Sequence, residues 1–430
     1  MSNEQEGLVS KKSLVAVIFF INIILELILV TNFVCGPTFQ RLFHLSKSQL
    51  GLCLGISSLG TLLMSPLSGH VTHLWSAFPT LVTGLVLTIS GIIFVTFATG
   101  FPLLLAGLIL FGISSSLISN ANTTFLADLF RDKLRRVMSL ASGLWFASSA
   151  LFAPVLGIWL KVVSQRNWGA WSFRGPYLLA LLSISACLFL AYRVVRQVPK
   201  LQSRGGKEKL VSNPAELPTG GREEKGVYDS AEPGAGNYPP NRKHWVWVLF
   251  FGLCHGLLYT TLLAWANPLV QNKFGVNDFY GALLYGMVSL GIAGGRFILA
   301  GFKLARDDRT VLAFSAIVGG ILFGLGLAAP WYGLTVVAMT IGGVGASATF
   351  PCILSLIGTK FSKNKAKIYG YNTASIALAG LIGSPIVGFL ADHGFPLWWA
   401  LGISPLAGFL LGFGSLLWKY QDRRVKSSTR

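Results

Sequence analysis

Acidic residues are scarce in this sequence: 16 Asp and Glu among 430 residues, with all charged residues together making up only 12%. An ordinary soluble domain carries about 25% charged residues, so a water-exposed globular surface is excluded. Cysteine is scarce too. Cys35, Cys53, Cys187, Cys254 and Cys352 all fall in or at the ends of apolar runs. They lack metal-ligand spacing and imply neither a disulfide framework nor a metal site. Short alternating segments of about ten residues, which a membrane β-barrel needs, are absent. So are a phosphate-binding loop, a zinc-ligand pattern, a nucleophile elbow and a haem ligand pair. No cofactor and no enzymatic activity are expected, nor is an ATP-driven pump.

What fills the sequence is apolar: 53% of residues are hydrophobic and the mean hydropathy is +0.62. Twelve runs are long enough to span a bilayer, which takes about 17–25 residues. They cover 13–35, 48–70, 78–98, 102–126, 137–160, 176–194, 245–270, 279–300, 310–329, 331–357, 367–390 and 396–419. Several hold glycine and proline, which spanning helices tolerate. The expected fold is an all-α polytopic membrane protein of twelve transmembrane helices. The first run is too long for a signal-peptide core and no small-residue cleavage site follows it, so it reads as a retained helix.

The formal net charge of +19 could suggest nucleic acid, but its placement says otherwise. With the first helix running outward, 28 of the 35 Lys and Arg fall in segments on the side of the termini, six on the other side, and Arg296 inside a span. That is the positive-inside bias. It predicts cytoplasmic termini, a lipid bilayer as surroundings, no nucleic-acid partner, and a plasma or bacterial inner membrane.

Residues 196–243 break the apolar pattern with Gly, Pro, Glu, Lys and Arg, a composition that cannot bury enough apolar area to fold. The expected organisation is a tail at 1–12, six helices over 13–195, a cytoplasmic linker at 196–243, six helices over 244–419, and a tail at 420–430. The halves repeat at an offset of 231: Pro37, Gln40 and Phe43 fall on Pro268, Gln271 and Phe274. At the same spacing Gly55, Ser58 and Gly60 fall on Gly286, Ser289 and Gly291, Gly112 on Gly343, and Pro154 and Gly157 on Pro385 and Gly388. Two pseudo-symmetric six-helix bundles, with a substrate site at their interface near the midplane, are a known transporter architecture.

On this repeat the chain resembles the major facilitator superfamily over its whole length apart from the linker. The family's loop after helix 2, of the form G-x-L-A-D-R-x-G-R, is reduced here to "SGHVTHLWSAFP" (68–79), without acid or arginine. Its counterpart "GRFILAGFKLARDDR" (295–309) keeps Gly301, Arg306, Asp307, Asp308 and Arg309. The resemblance therefore implies a cytoplasmic latch carried by the second half. Asp128, Arg131, Arg135 and Arg136, between helices 4 and 5, are expected to make ion pairs in that latch. "LIGSPIVGFLAD" (381–392) with "GGRFILAG" (294–301) is similar to the monocarboxylate-porter branch. "NANTTFLADLF" (120–130) and "TFPCILSL" (349–356) are similar to the fucose-permease branch. Helix 4 has no embedded arginine, which weighs against a multidrug exporter.

Glu26 is the one acid at mid-depth, in "FINIILELILVTNF" (20–33). A charge there costs at least about 2.5–3.5 kcal/mol, so the side chain should face a wet cavity, take up a proton, or both. It is the candidate proton-coupling residue; a packing role is the alternative. Asn22 shares its face one turn earlier. His255 and Tyr259 share a face of helix 7, with His255 about 16 Å from the cytoplasmic end, and a histidine there can bind a solute or exchange protons. Trp265 reads as an outer-interface aromatic or a gate. Asn122 and Trp145 become substrate-site candidates because the family lines its central site with helices 4 and 5. Arg296 is assigned to the latch; reaching the cavity instead, it would pair with an anionic substrate. These residues predict a secondary active transporter working by alternating access, as a monomer, on a small polar organic solute. A sugar or short carboxylate moved with protons is the first expectation. An exporter of amphiphilic, drug-like or lipid-like compounds, or a non-transporting sensor or scaffold, is the alternative.

Overall fold

The computed structural model describes residues 3–129, 134–166, 168–196, 242–301, 307–360 and 365–428. Among them every regular element is a helix. Twelve helices are long and apolar enough to cross a membrane: α1 (Val15–Val34), α2 (Lys47–Thr72), α3 (Ala77–Thr96), α4 (Phe101–Leu126), α5 (Leu140–Gln165) and α6 (Trp171–Arg193) form the first half. α7 (Trp245–Phe274), α8 (Asp278–Gly301), α9 (Asp308–Ala328), α10 (Tyr332–Gly358), α11 (Ile368–Asp392) and α12 (Leu397–Gln421) form the second. The predicted linker lies almost wholly outside the described residues. Twelve crossings leave α1 and α12 with their outer ends on one face, the termini face; the opposite one is called the far face below.

Helices are the form these runs must take, because hydrocarbon offers no partner to an open N–H or C=O. The same rule governs side chains. Thr31, Thr61, Thr88, Ser90 and Thr340 donate back to the carbonyl four residues earlier, so these hydroxyls are satisfied within their own helix. Pro66, Pro154, Pro268 and Pro385 all lie inside helices. On the far face α2 starts with a complete capping box between Ser46 and Gln49, which closes two orphan N–H groups.

The two six-helix bundles meet along two long seams, α2 with α11 and α5 with α8. The repeat seen in the sequence is the packing of these seams. A Cβ on Gly55 of α2 would lie 2.6 Å from the Gly380 carbonyl and 3.4 Å from Pro385 of α11. A Cβ on Gly286 of α8, the equivalent position, would lie 3.0 Å from Pro154 of α5 and 3.2 Å from the Ala150 carbonyl. Only glycine lets these backbones approach so closely. Gly55, Pro385 and Gly388, with their counterparts Gly286, Pro154 and Gly157, thus line two seams related by the pseudo-twofold, while Gly60 and Gly112, like Gly291 and Gly343, pack α2 on α4 and α8 on α10 inside each half. The larger buried apolar cluster draws residues from both halves.

Candidate functional site

Three of the twelve helices are interrupted, all in the second half; α12 breaks near its far-face end, at Leu401 and Gly402, and the other two breaks lie deeper. α7 runs as α-helix to Gly256, makes one π turn over Leu257–Thr261, and resumes at Leu262. Such bulges concentrate at functional sites. α10 breaks at Ser347 and Ala348, between helical segments Tyr332–Ala346 and Thr349–Lys360. These two interruptions touch, since His255 Nδ1 lies 3.0 Å from the Thr349 hydroxyl. That hydroxyl donates to the Ala346 carbonyl at 2.8 Å, so its oxygen accepts from His255 Nδ1–H. A neutral His255 then presents Nε2 as an acceptor. The His255 ring packs 4.9 Å from Tyr259 and stacks at 5.5 Å on Phe350. The Tyr259 hydroxyl is buried with no hydrogen-bond partner.

Arg296 sits beside this group. Its guanidinium lies 4.6 Å from the ring centre of Phe146 (α5) and 5.6 Å from that of Phe350 (α10). It bridges the bundles, within electrostatic range of His255 and Tyr259. Nη1 reaches the Ser142 carbonyl at 3.4 Å, and Nε is buried without a partner. No carboxylate pairs with it among the described residues. Aromatic faces stabilise a guanidinium but leave its in-plane N–H donors for a planar acceptor.

The first half contributes a second polar group. The Ser149 hydroxyl (α5) donates to Glu26 Oε1, while Glu26 Oε2 is buried and unpartnered. Tyr285 of α8 lies within range of the Glu26 carboxyl and the Ser149 hydroxyl, held there as Gly286 packs on Ala150 and Pro154. Asn22 Nδ2 donates to the Ile18 carbonyl at 2.8 Å, and Asn122 Nδ2 approaches Asn22 Oδ1 at 3.4 Å. Asn122 Oδ1 has no partner. Trp145 is half-buried one turn before Ser149, whose hydroxyl lies 3.5 Å from its carbonyl.

The structure therefore brings Glu26, Asn22 and Asn122 together on one side and His255, Tyr259 and Arg296 on the other. Trp265 stands apart. It is buried toward the far face, donating from Nε1 to the Ser384 carbonyl at 3.2 Å. Among the residues expected at the cytoplasmic latch, Asp307 caps α9 and pairs with Lys419 at 3.5 Å. Asp308 accepts from Ser355 at 2.5 Å, and Arg309 lies 5.0 Å over Trp418. These described ties run within the second half. Arg131 and Arg306, and the side chains of Asp128, Arg135 and Arg136, lie outside the described residues.

A polar clasp that the sequence reading did not predict closes the far face. Arg41, just beyond α1, pairs with Asp278 of α8 at 2.9 Å, and Gln271 reaches the other Asp278 oxygen at 2.5 Å. Asn267 of α7 donates to the Val34 carbonyl of α1 at 2.6 Å. Asp392 of α11 accepts from the Lys47 and Ser48 backbone N–H groups at 3.0 and 2.8 Å, capping α2 across the bundle boundary. One signal lay in the repeat: position 47 is lysine and its counterpart 278 is aspartate. Ser149 and Tyr285 carried no signal, since hydroxyls and aromatics are ordinary in spanning helices; Thr349 and Phe350 open the "TFPCILSL" motif, which pointed to a branch of the family and not to a site role.

Comparison with known proteins fits this geometry. The family model for the Major Facilitator Superfamily matches residues 15–306. A crystal structure of FucP in the outward conformation superposes with a TM-score of 0.62 at 18% identity, covering 94% of this chain and 98% of that one. A variant of the E. coli fucose:proton symporter FucP gives 0.60 at 17% identity, with the same coverage. At this identity the likeness is one of fold. No curated protein sequence matches. With the helix count, the paired seams and the family match agreeing, the chain belongs to the Major Facilitator Superfamily.

Proposed function

We propose that this transporter is a proton-coupled symporter of short organic carboxylates, in which Arg296 binds the carboxylate and Glu26 carries the proton. The observation that carries the reading is Arg296: a buried guanidinium at the bundle interface, between Phe146 and Phe350, with no acid partner among the described residues. An uncompensated buried charge costs several kcal/mol, and a carboxylate entering from solvent would offset that cost through a bidentate contact. The discontinuities of α7 and α10 add to it. Interrupted helices near mid-depth mark transporter sites, and the half-helix starting at Thr349 turns its positive end toward an anion. His255 Nε2 and the Tyr259 hydroxyl are free to bind a second polar group on the solute.

Glu26 suits proton carriage because one carboxyl oxygen is held by Ser149 and the other is unpartnered. Tyr285 reaches this carboxyl from the other bundle, so its charge state bears on how the bundles dock. Alternating access then means rocking about the α2–α11 and α5–α8 seams. The Lys and Arg bias supports cytoplasmic termini, which makes the far face the outer one, in a plasma or bacterial inner membrane.

The test is a panel in liposomes under an inward proton gradient: lactate, pyruvate, succinate, fucose and glucose. A carboxylate should accumulate, and Arg296→Gln should abolish it. The structural neighbours named as fucose:proton symporters make a hexose the rival. Accumulation of sugar alone, surviving Arg296→Gln, would decide for it.

A further inference from the structure

The sequence repeat marks two matched pairs of residues, outside the central site, that come together on the far face. Pro37 and Gln40, with their counterparts Pro268 and Gln271, line a single cavity of about 260 Å³ between the bundles on the far face. Lys47 and Asn272 complete its polar wall, and buried Trp265 lies at its inner side. We propose that this cavity is a second binding site for the carboxylate substrate, facing the far-side medium, where the solute docks before the clasp beneath it opens. The inference rests on the carboxylate reading above for its choice of ligand.

Size and chemistry both fit. At about 30 Å³ per water-sized group, the cavity has room for roughly eight, enough for a short carboxylate. The Lys47 side chain supplies the positive charge, and no carboxylate pairs with its ammonium among the described residues, although Asp392 binds the Lys47 backbone N–H. Gln40 and Asn272 offer amide donors. Gln271 Nε2 is committed to Asn267 Oδ1 at 3.0 Å and Asp278 at 2.5 Å, so what this side chain has left to offer a solute is its carbonyl oxygen, an acceptor for a hydroxyl or a protonated acid. The proline rings supply apolar walls. Gln and Pro from the two halves thus wall the cavity on both sides, with a donor at Gln40 and an acceptor at Gln271.

The position gives the cavity a role. Trp265 is six residues beyond Tyr259, about 9 Å along the helix, so its indole separates the far-face cavity from the π turn of the central site. Gln271 joins the cavity to the clasp, since the Asp278 it holds is also the partner of Arg41. A solute that draws on Lys47 and Gln271 therefore acts where the outer gate is tied.

Equilibrium binding of radiolabelled lactate to the full-length protein in nanodiscs tests this. Arg296→Gln should leave one saturable site intact. Gln40→Ala combined with Lys47→Gln, which keeps the backbone bond to Asp392, should remove that site. Lys47→Arg should retain it within about threefold. Absence of lactate binding by the unmodified protein, loss of all binding in Arg296→Gln, or unchanged binding in the double variant would overturn the proposal. The carboxylate-transport reading fails separately: no carboxylate accumulates in liposomes, while binding that resists Arg296→Gln and depends on Lys47 persists in nanodiscs.

Discussion

In the proposed mechanism Arg296 and Glu26 divide the chemistry between the two bundles, and each stands out by what it lacks. Arg296 lies over two aromatic rings but has no described acid; Glu26 has one hydrogen bond and one bare oxygen. Arg296→Lys keeps the charge but loses the planar fork. Charged hydrogen bonds are worth about 1.5–3 kcal/mol each, so we expect the half-saturating carboxylate concentration to rise at least tenfold, measured as initial uptake against concentration. Thr349→Val removes the oxygen that orients His255 and should raise the same quantity severalfold while the protein still folds, as read by its melting temperature. Glu26, Asn22, His255 and Arg296 stood out in the sequence because each is a polar letter in an apolar run, but the sequence reading assigned Arg296 to the latch, and its place beside His255 and Tyr259 came only with the structure. Ser149 and Tyr285 were not, because nothing in composition separates a hydroxyl bonded to its own helix, such as Thr31, from one aimed at a carboxyl; Thr349 and Phe350 showed only as part of a family-like motif.

Among the helices, the two seams join the bundles, and the proposed rocking would run about them. The glycine and proline pairs found at the 231-residue offset were legible as a repeat, and some of them, Gly55/Gly286, Pro154/Pro385 and Gly157/Gly388, sit where α2 meets α11 and α5 meets α8. What the repeat could not show is that α7 and α10 are interrupted, because a π turn over Leu257–Thr261 leaves no signature in the sequence. Gly286→Leu would drive a side chain into Pro154 and the Ala150 carbonyl. Overpacking of this kind costs about 1–3 kcal/mol, and here it also wedges the seam. Transport should fall by more than tenfold with a lower melting temperature, whereas Gly69→Leu, with open space at its Cβ, should leave both unchanged.

For the molecule as a whole, the far face is shut by Arg41–Asp278, Asn267–Val34 and the Asp392 cap on α2. Charge distribution predicted an orientation from the sequence, but not which face is clasped. That depends on pairs such as Arg41 and Asp278, 237 residues apart. Asp278→Asn removes the charge of the central pair and should shift the protein toward opening outward. A cysteine placed at Ala266, with the native five replaced by alanine, should then react severalfold faster with a membrane-impermeant thiol reagent from the far side. An unchanged rate would show that the clasp does not hold the gate.

Coupling is the central claim, and the most direct test compares two transport modes in liposomes holding Glu26→Gln. The amide mimics a permanently protonated carboxyl. We therefore predict that lactate accumulation driven by an inward proton gradient is lost, while lactate–lactate exchange at equal pH persists. Gradient-driven accumulation at the level of the unmodified protein would contradict the account.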